Sequence, residues 1–201
     1  MRLLFSPTSP YVRKVRVTAA EKGLADRIEI VPADVFGEEA QVAPFNPLRK
    51  VPALILDDGQ ALFDSPVICE YLDSLAQEPV LLPPHGPERW NVLRTQALAD
   101  GITDAAFNTV MERRRPDAER SILWQDRWQA AILRGAAALD REASNWDTRI
   151  DLGRIAAACA LDYVDFRLSD IDWRAKHESL AAWHSEISRR PSLMETAPPA
   201  A

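Results

Sequence analysis

The stretch RLLFSPTSPYVRKVRVTAAEKG, residues 2–23, decides how the first third of this chain folds. Its apolar start at Arg2 to Phe5 predicts a short β-strand. Ser9 followed by Pro10 is a helix start, because Ser caps free N–H groups and Pro fits the first helical position. Apolar residues then recur at helical spacing until Gly23, which ends the helix. The stretch therefore predicts a strand followed by a helix of about thirteen residues.

The next strand signals extend this pattern into a small mixed sheet with helices. A strand at 28–31 completes a βαβ unit, whose two strands should be parallel. Apolar runs at 53–56 and 61–63 flank an Asp-Asp-Gly turn, which predicts an antiparallel hairpin. A second helix begins at Ser65, where Ser again precedes Pro and is expected to cap the helix.

The rest of the chain is helical in character. Residues 77–87 hold four prolines and one glycine, which predicts a linker between two domains. The segment 155–161 is apolar on every side, so its helix should be buried at the centre of a bundle of four or five helices. We therefore predict an α/β domain at 1–76, the linker, and an all-helical domain at 88–201.

Composition excludes several classes of protein. With 47% hydrophobic residues the chain is not disordered, and with 24 Lys and Arg against 30 Asp and Glu it is a poor nucleic-acid binder. No apolar run approaches the roughly 20 residues that span a bilayer, and the N-terminus does not resemble a signal peptide. We expect a cytoplasmic protein with no membrane or nucleic-acid partner.

The cysteines and histidines predict neither a redox nor a metal centre. The two cysteines, Cys69 and Cys159, are far apart in the sequence, and the three histidines have no ligand spacing. A disulfide scaffold, a dithiol motif and a metal site are therefore not expected.

Three segments in order resemble the glutathione S-transferases, in particular bacterial members of the serine type. They are SPTSPYVRKV at 6–15, FNPLRKVPAL at 45–54, and FDSPVICEYL at 63–72; a fourth, CALDYVDFR at 159–167, is similar to the family's buried helix. The resemblance covers essentially the whole chain. It implies a thioredoxin-like N-terminal domain, a helical-bundle C-terminal domain, glutathione as co-substrate, a homodimer, and a role in detoxification.

The resemblance makes Ser9 the residue that stabilises the glutathione thiolate. A free thiol has a pKa of about 8.5, and lowering it by two units takes about 2.7 kcal/mol of differential stabilisation. A hydroxyl at a helix N-terminus supplies both a hydrogen bond and a favourable dipole. Ser6 and Thr8 are nearby hydroxyls that remain alternatives to Ser9.

Five further residues are expected to bind glutathione. Ser65 and the free amides beside it suit a carboxylate, and Asp64 suits an ammonium, so together they fit the γ-glutamyl end. The family carries a cis peptide at the position of Val51 and Pro52, where the backbone of Val51 pairs with the cysteinyl part of the ligand. Lys50 could meet the glycine carboxylate.

The second substrate should lie between the domains, where clefts usually form. Its candidate residues are Tyr11, Phe36, Phe107, Met111 and Arg115. The run of three arginines that ends at Arg115 could favour an acidic co-substrate, although such a run is usually a solvated face. The identity of the electrophile is not encoded in any motif.

Two positions depart from the family pattern. Arg49 stands where many relatives have Gly, which adds a cation and could alter the loop before the third strand. The buried helix begins with Asp151, a good cap, but Arg154 in its first turn opposes the helix dipole.

The resulting hypothesis is an enzyme that transfers alkyl or aryl groups to glutathione activated at Ser9. A second hypothesis is a binding or regulatory protein that uses this fold without transfer activity, since fold does not determine function. A third is an isomerase or dehalogenase that uses glutathione as cofactor, with the same first site.

Overall fold

A computed structural model describes residues 1–35, 37 and 41–199. The strands are β1 (Arg2–Phe5), β2 (Glu29–Pro32), β3 (Ala53–Ile55) and β4 (Ala61–Leu62). The α-helices are α1 (Pro10–Glu21), α2 (Ser65–Ser74), α3 (Pro87–Arg113), α4 (Ile122–Ala143), α5 (Leu152–Arg167), α6 (Glu178–Ile187) and α7 (Pro191–Glu195).

The described strands form one mixed sheet in the order β2-β1-β3-β4. β1 pairs in parallel with β2, and β3 pairs antiparallel with both β1 and β4. This sheet with its helices, followed by a helical region, confirms the predicted fold class. The predicted bounds differ slightly, since β2 begins and ends one residue later than expected and β3 and β4 each end one residue earlier.

The register of the sheet brings three loops to one of its ends. Leu4, near the end of β1, pairs with Ala53, the first residue of β3. Leu62, the last residue of β4, pairs with Leu54, the second residue of β3. The segments that follow β1, precede β3 and follow β4 therefore leave the sheet at the same end.

The chain divides into two compact units. One contains Met1–Leu82 and the described residues from Pro191 onward, and the other contains Pro83–Arg190. The sequence prediction assigned the residues after Pro191 to the helical domain, but here they pack with the sheet-containing unit. Hydrogen bonds to α1 hold these residues in the sheet-containing unit. Arg13 donates to the Leu193 carbonyl at 3.0 Å, and Ser192 donates to the Glu21 carboxylate at 2.5 Å.

A buried lysine links the C-terminal ends of α1 and α2. Lys22, whose side chain is 0% exposed, donates through Nζ to the Asp73 carboxylate at 2.8 Å and to two carbonyls, those of Ala76 at 2.7 Å and Pro79 at 2.6 Å. Asp73 in turn accepts the backbone N–H groups of Leu81 and Leu82, each at 3.0 Å. The pair therefore ties the segment after α2 to both helices.

The second unit is built around α5, as the apolar segment predicted. Every residue from 155 to 161 is buried, and α5 packs mainly against α3. The approach is close at Gly153, where an added Cβ would lie 2.8 Å from the Val92 carbonyl oxygen. The space between the two helices therefore selects glycine at this position.

The first turn of α5 is capped as expected. Asp151 accepts the N–H of Arg154 at 2.8 Å, and the Arg154 guanidinium pairs with Asp147 at 2.8 Å and lies over the Trp146 ring. Hydrogen bonds from Arg154, the largest cause, and from the side chain and backbone N–H of Arg149 lower the pKa of Asp147 to about 2. The unfavourable dipole interaction of Arg154 is thus offset by a nearby anion.

Among the described helices, none combines the length and apolarity that a membrane crossing requires.

Replacing Lys22 by Met is expected to lower the free energy of unfolding by about 3 kcal/mol, because the change leaves the largely buried Asp73 carboxylate without its cation. Chemical denaturation followed by circular dichroism measures the loss. Lys176→Met is the matched control, since Lys176 is exposed, and it should change the free energy of unfolding by less than about 0.5 kcal/mol. Equal effects of the two substitutions would contradict a structural role for Lys22.

Candidate functional site

Ser9 lies at the end of the sheet where the three loops meet, directly before α1. It is the N-cap of the helix, with extended backbone angles, and its Oγ accepts the N–H of Val12 at 3.3 Å. A serine hydroxyl that accepts one bond keeps its own proton for donation. Ser9 therefore caps the helix and can still donate a hydrogen bond to an anion placed beyond the helix N-terminus.

The surroundings of Ser9 favour a negative charge. The first turn of α1 contains no acidic residue, so the positive end of its helix dipole is not compensated by a carboxylate of that turn. Arg13, which follows in the same helix, is buried and directs its guanidinium to the Leu193 carbonyl at 3.0 Å, so the favourable charge at Ser9 comes from the helix dipole. The predicted role of Ser9 as a thiolate stabiliser requires this combination of donor and dipole.

The loop before β3 presents a backbone segment at the same end of the sheet. The Val51–Pro52 peptide bond is cis, at the position where the resemblance implies it. Val51 is half-buried, and within the part of the chain that the structure describes its N–H and C=O make no hydrogen bond. The backbone of Val51 is thus able to pair with an extended ligand, as in strand addition.

Asn46 organises this loop, and the sequence analysis missed it. It is 2% exposed; its amide donates to the Lys50 carbonyl at 2.9 Å, and its Oδ1 accepts the Leu48 N–H at 3.0 Å. Its place in the NPLRK segment, where Asn precedes Pro at a turn, was the signal that could have identified it. The Lys50 side chain itself is exposed, so its predicted contact with the ligand stays a prediction.

The backbone conformation at Arg49 explains why glycine suits this position. Its φ is +54°, in the left-handed region that costs a residue with a side chain more than it costs glycine. The conformation is supported by two hydrogen bonds: the Arg49 N–H donates to the Asn46 carbonyl at 2.8 Å, and the guanidinium donates to the Gly37 carbonyl at 2.6 Å. The guanidinium of Arg49 is thus bonded to the backbone of this chain, and the predicted alteration of the loop stays a prediction.

The start of α2 differs from the expectation at one residue. The N-cap is Asp64, not Ser65, and Ser65 is the first residue of the helix and 1% exposed. The helix begins one residue earlier than a Ser cap would place it, because the Asp64 carbonyl already accepts the Ile68 N–H at 3.0 Å. Within the described residues, the exposed Asp64 side chain makes no capping bond, which leaves its carboxylate available to a cation.

The first turn of α2 is also free of acidic residues. The N–H groups of Ser65 and Val67 precede the first intrahelical bond and point beyond the helix N-terminus. A helix N-terminus with free N–H groups thus lies beside the Asp64 carboxylate. The peptide bond between Phe63 and Asp64 is cis.

Comparison with known proteins bears on this arrangement. The family model for the glutathione S-transferase N-terminal domain matches residues 8–75. An uncharacterized GST-like protein of Escherichia coli, YibF, is 35% identical over the full length of both chains. The chain belongs to the glutathione S-transferase family.

Solved structures of family members extend the likeness to the fold. A glutathione transferase family member from Pseudomonas fluorescens Pf-5, with bound glutathione, is 41% identical, with a TM-score of 0.94 and 99% of each chain covered. A glutathione S-transferase from Methylobacterium radiotolerans, in complex with glutathione sulfonate, is 36% identical, with a TM-score of 0.91, 100% of this chain and 95% of that chain covered. Two proteins similar to this glutathione S-transferase family member therefore bind glutathione or glutathione sulfonate.

The predicted second-substrate residues are divided between the two units of this glutathione S-transferase family member. Tyr11 is the second residue of α1 and is half-buried. Phe107 and Met111 are half-buried and lie one turn apart on α3. Phe36 lies outside the described residues.

Arg115, the remaining candidate for the second substrate, is exposed and already engaged. Its guanidinium contacts the Glu119 carboxylate at 3.3 Å and the Glu119 carbonyl at 3.3 Å. A neighbouring carboxylate of the protein therefore competes for the charge that the sequence analysis assigned to an acidic co-substrate.

One group of potential metal ligands occurs among the described residues, and the sequence analysis did not anticipate it. Asp162, Asp165 and His184 place one ligand atom each within 4.8 Å of one another. Arg174 already supplies a cation there, with two bonds of 2.6 Å to Asp165 and a contact of 3.2 Å to His184. These groups are joined in an ion-pair network of the helical unit, and the expectation that the protein holds no metal stays a prediction.

Arg49→Gly is expected to be more stable than Arg49→Ala by about 1 kcal/mol, since both lose the bond to Gly37 but only alanine retains the cost of positive φ. Denaturant unfolding measures the difference in free energy of unfolding between the two variants. Because both variants lack the guanidinium, its bond to Gly37 does not enter the comparison. If the alanine variant is as stable as the glycine variant, the left-handed conformation at residue 49 is not what makes glycine suitable there.

Proposed function

We propose that this protein is a glutathione transferase in which Ser9 stabilises the glutathione thiolate for attack on a small electrophile. The observation that carries the proposal is the register of the sheet. It brings the Ser9 hydroxyl, the Val51 backbone and the start of α2 with Asp64 to one end of β1, β3 and β4.

The three groups match the three parts of an extended γ-glutamyl tripeptide. The N-terminus of α2 and the Asp64 carboxylate suit the carboxylate and ammonium of the γ-glutamyl end. The Val51 backbone suits the amide and carbonyl of the cysteinyl residue. Ser9 at the N-terminus of α1 then suits the sulfur, and Lys50 remains the proposed partner of the glycine carboxylate.

The chemistry assigned to Ser9 is stabilisation of the thiolate, not proton abstraction. Its hydroxyl donates to the sulfur, the α1 dipole favours the anion, and the released proton passes to solvent. The thiolate then attacks the electrophile, and holding the two together supplies further acceleration. The identity of the electrophile is set by the second-substrate residues, of which Tyr11, Phe107 and Met111 remain candidates.

A homodimer is the proposed assembly. Exposed apolar side chains at the start of α4 give such a contact a surface: Ile122 is 74% exposed, Leu123 76% and Trp124 49%. Contiguous exposed apolar residues of this size are typical of protein interfaces. Trp124 stacks on Trp128 with 5.5 Å between the ring centroids, which restricts the orientation of the exposed Trp124 ring.

Replacing Ser9 by Ala or Gly should raise the pKa of the bound glutathione thiol toward the free value of about 8.5 and lower turnover of an aryl halide at neutral pH about tenfold. Glycine is the sharper variant, because it costs the helix cap only a few tenths of a kcal/mol where alanine costs about 1 kcal/mol. Ultraviolet absorbance of the bound thiolate against pH measures the shift.

The variants Ser6→Ala and Thr8→Val test whether the hydroxyl of Ser6 or Thr8, and not that of Ser9, stabilises the thiolate. If one of them shifts the thiol pKa and the Ser9 variants do not, the role assigned to Ser9 is wrong. If glutathione binds with an ordinary thiol pKa and no electrophile in a substrate panel is turned over, the protein is a glutathione-binding member of the family and not a transferase.

Asp64→Asn should weaken glutathione binding about tenfold by removing the partner of the γ-glutamyl ammonium. Isothermal titration with glutathione and with its analogue lacking the amino group isolates the contact. The native protein should prefer glutathione over the analogue, and the variant should not. Asp26→Asn, at an exposed site of a 3-10 turn, is the control and should leave both affinities unchanged. A variant that keeps the preference would place the ammonium elsewhere.

A further inference from the structure

The segment 191–199 is attached to α1 at both ends of that helix. It belongs to the same compact unit as α1, and its residues Ser192 and Leu193 are buried. The Ser192 hydroxyl donates to the carboxylate of Glu21, the last residue of α1. The Arg13 guanidinium, near the start of α1, donates to the Leu193 carbonyl. The two ends of α1 are therefore held by separate hydrogen bonds to one segment.

The bond between Arg13 and Leu193 is a buried one between a charged donor and a backbone acceptor. Nη2 of Arg13 lies 3.0 Å from the Leu193 oxygen, and Arg13 is 8% exposed. Leu193 lies in α7, and the last carbonyls of a helix have no acceptor role within it. A buried donor or acceptor that loses its partner keeps its full desolvation cost. The bond therefore fixes where the Arg13 side chain can lie.

Arg13 is also bonded to Ser9 through the backbone. The Arg13 N–H donates to the Ser9 carbonyl at 3.0 Å, whereas the Ser9 Oγ accepts the Val12 N–H at the longer distance of 3.3 Å. Backbone hydrogen bonds of normal strength have donor–acceptor distances of about 2.7–3.2 Å. The backbone bond to Arg13 is thus the firmer of these two connections between Ser9 and α1.

We propose that Arg13 is the positioning residue of Ser9. Held by the Leu193 carbonyl, it fixes the first turn of α1 and with it the direction of the Ser9 hydroxyl. Its role is mechanical, because its guanidinium is directed to the segment 191–199 and not to the helix N-terminus. The inference rests on the proposed function for its effect on a thiolate, but not for its effect on Ser9.

The second attachment of the segment provides a matched control. Glu21 lies about three turns of α1 away from Ser9. Ser192→Ala removes the hydroxyl that bonds to Glu21 and leaves the bond between Arg13 and Leu193 in place. Arg13→Met removes the guanidinium and keeps an apolar side chain, so it releases the end of α1 at Ser9. Arg13→Lys retains a donor and is the conservative variant.

Amide hydrogen exchange of the full chain without glutathione measures the effect on Ser9. Arg13→Met should speed exchange of the Val12 N–H, which bonds to the Ser9 Oγ, about tenfold, because the first turn of α1 opens more often. Arg13→Lys should lie between Arg13→Met and the native protein, and Ser192→Ala should leave this amide unchanged. Equal exchange at Val12 in the native protein and in Arg13→Met would overturn the proposal.

A milder variant covers the case in which Arg13→Met does not fold. Thr196→Val removes the bond of 2.7 Å from the Thr196 hydroxyl to the Ser192 carbonyl, which lies within the segment and does not involve α1. It should speed exchange at Val12 by a smaller factor than Arg13→Lys. If neither Thr196→Val nor Arg13→Lys changes that exchange, the segment does not hold the Ser9 turn and the proposal fails.

The effect on chemistry is measured with glutathione bound. Arg13→Met should raise the pKa of the bound thiol by about 0.5 and lower kcat for an aryl halide at neutral pH about threefold. KM for glutathione should stay unchanged, because Arg13 is not among the residues proposed to bind it. Arg13→Lys should recover part of the loss, and Ser192→Ala should leave the thiol pKa and kcat unchanged. Equal effects of Arg13→Met and Ser192→Ala would show that the segment only stabilises the unit, which overturns the proposal.

The two measurements separate this inference from the proposed function. If the Ser9 variants leave the thiol pKa unchanged, the proposed function fails, while faster exchange at Val12 in Arg13→Met still supports the positioning role. If the Ser9 variants shift the thiol pKa and a folded Arg13→Met does not, the positioning role is overturned and the proposed function stands.

Discussion

The buried ion pair between Lys22 and Asp73 is the interaction on which the sheet-containing unit depends. Lys22 follows the end of α1, and Asp73 lies in the last turn of α2. Their bond of 2.8 Å ties together the ends of the two helices whose opposite ends carry Ser9 and Asp64. Two helices joined at their C-terminal ends keep their N-termini in a constant relation, which a binding site built on helix ends requires. A buried pair of this kind costs desolvation, so its value lies in the position that it imposes.

The candidate site uses two helix N-termini and little else that is charged. The first turns of α1 and α2 contain no carboxylate, so both positive helix ends remain uncompensated within their own turns. Asp64 is the N-cap of α2, where its carboxylate provides one negative charge beside the free N–H groups of the first turn. In the proposed binding mode, backbone dipoles and one carboxylate distinguish the two charges of the γ-glutamyl end, and the serine hydroxyl donates to the thiolate.

In the helical unit, by contrast, charged side chains at helix ends form ion pairs. Arg154, Arg174 and Arg113 are each paired with a carboxylate, and these pairs stand at helix ends. Arg154 shows the consequence, because Asp147 offsets the unfavourable position of a cation in the first turn of α5.

Local chemistry let the sequence alone determine much of this protein. Ser9 with Pro10 and Gly23 bounded α1, because capping and chain termination act within one helical turn. The Asp-Gly turn established the β3–β4 hairpin, and the all-round apolar segment at 155–161 placed α5 at a centre. The tertiary structure decided what depends on contacts distant in sequence. Backbone conformation, which no motif encodes, made Asp64 the N-cap of α2 and gave Arg49 its left-handed φ. Hydrogen bonds to α1, from residues about 170 to 180 positions away in the chain, placed the described residues from Pro191 onward in the sheet-containing unit.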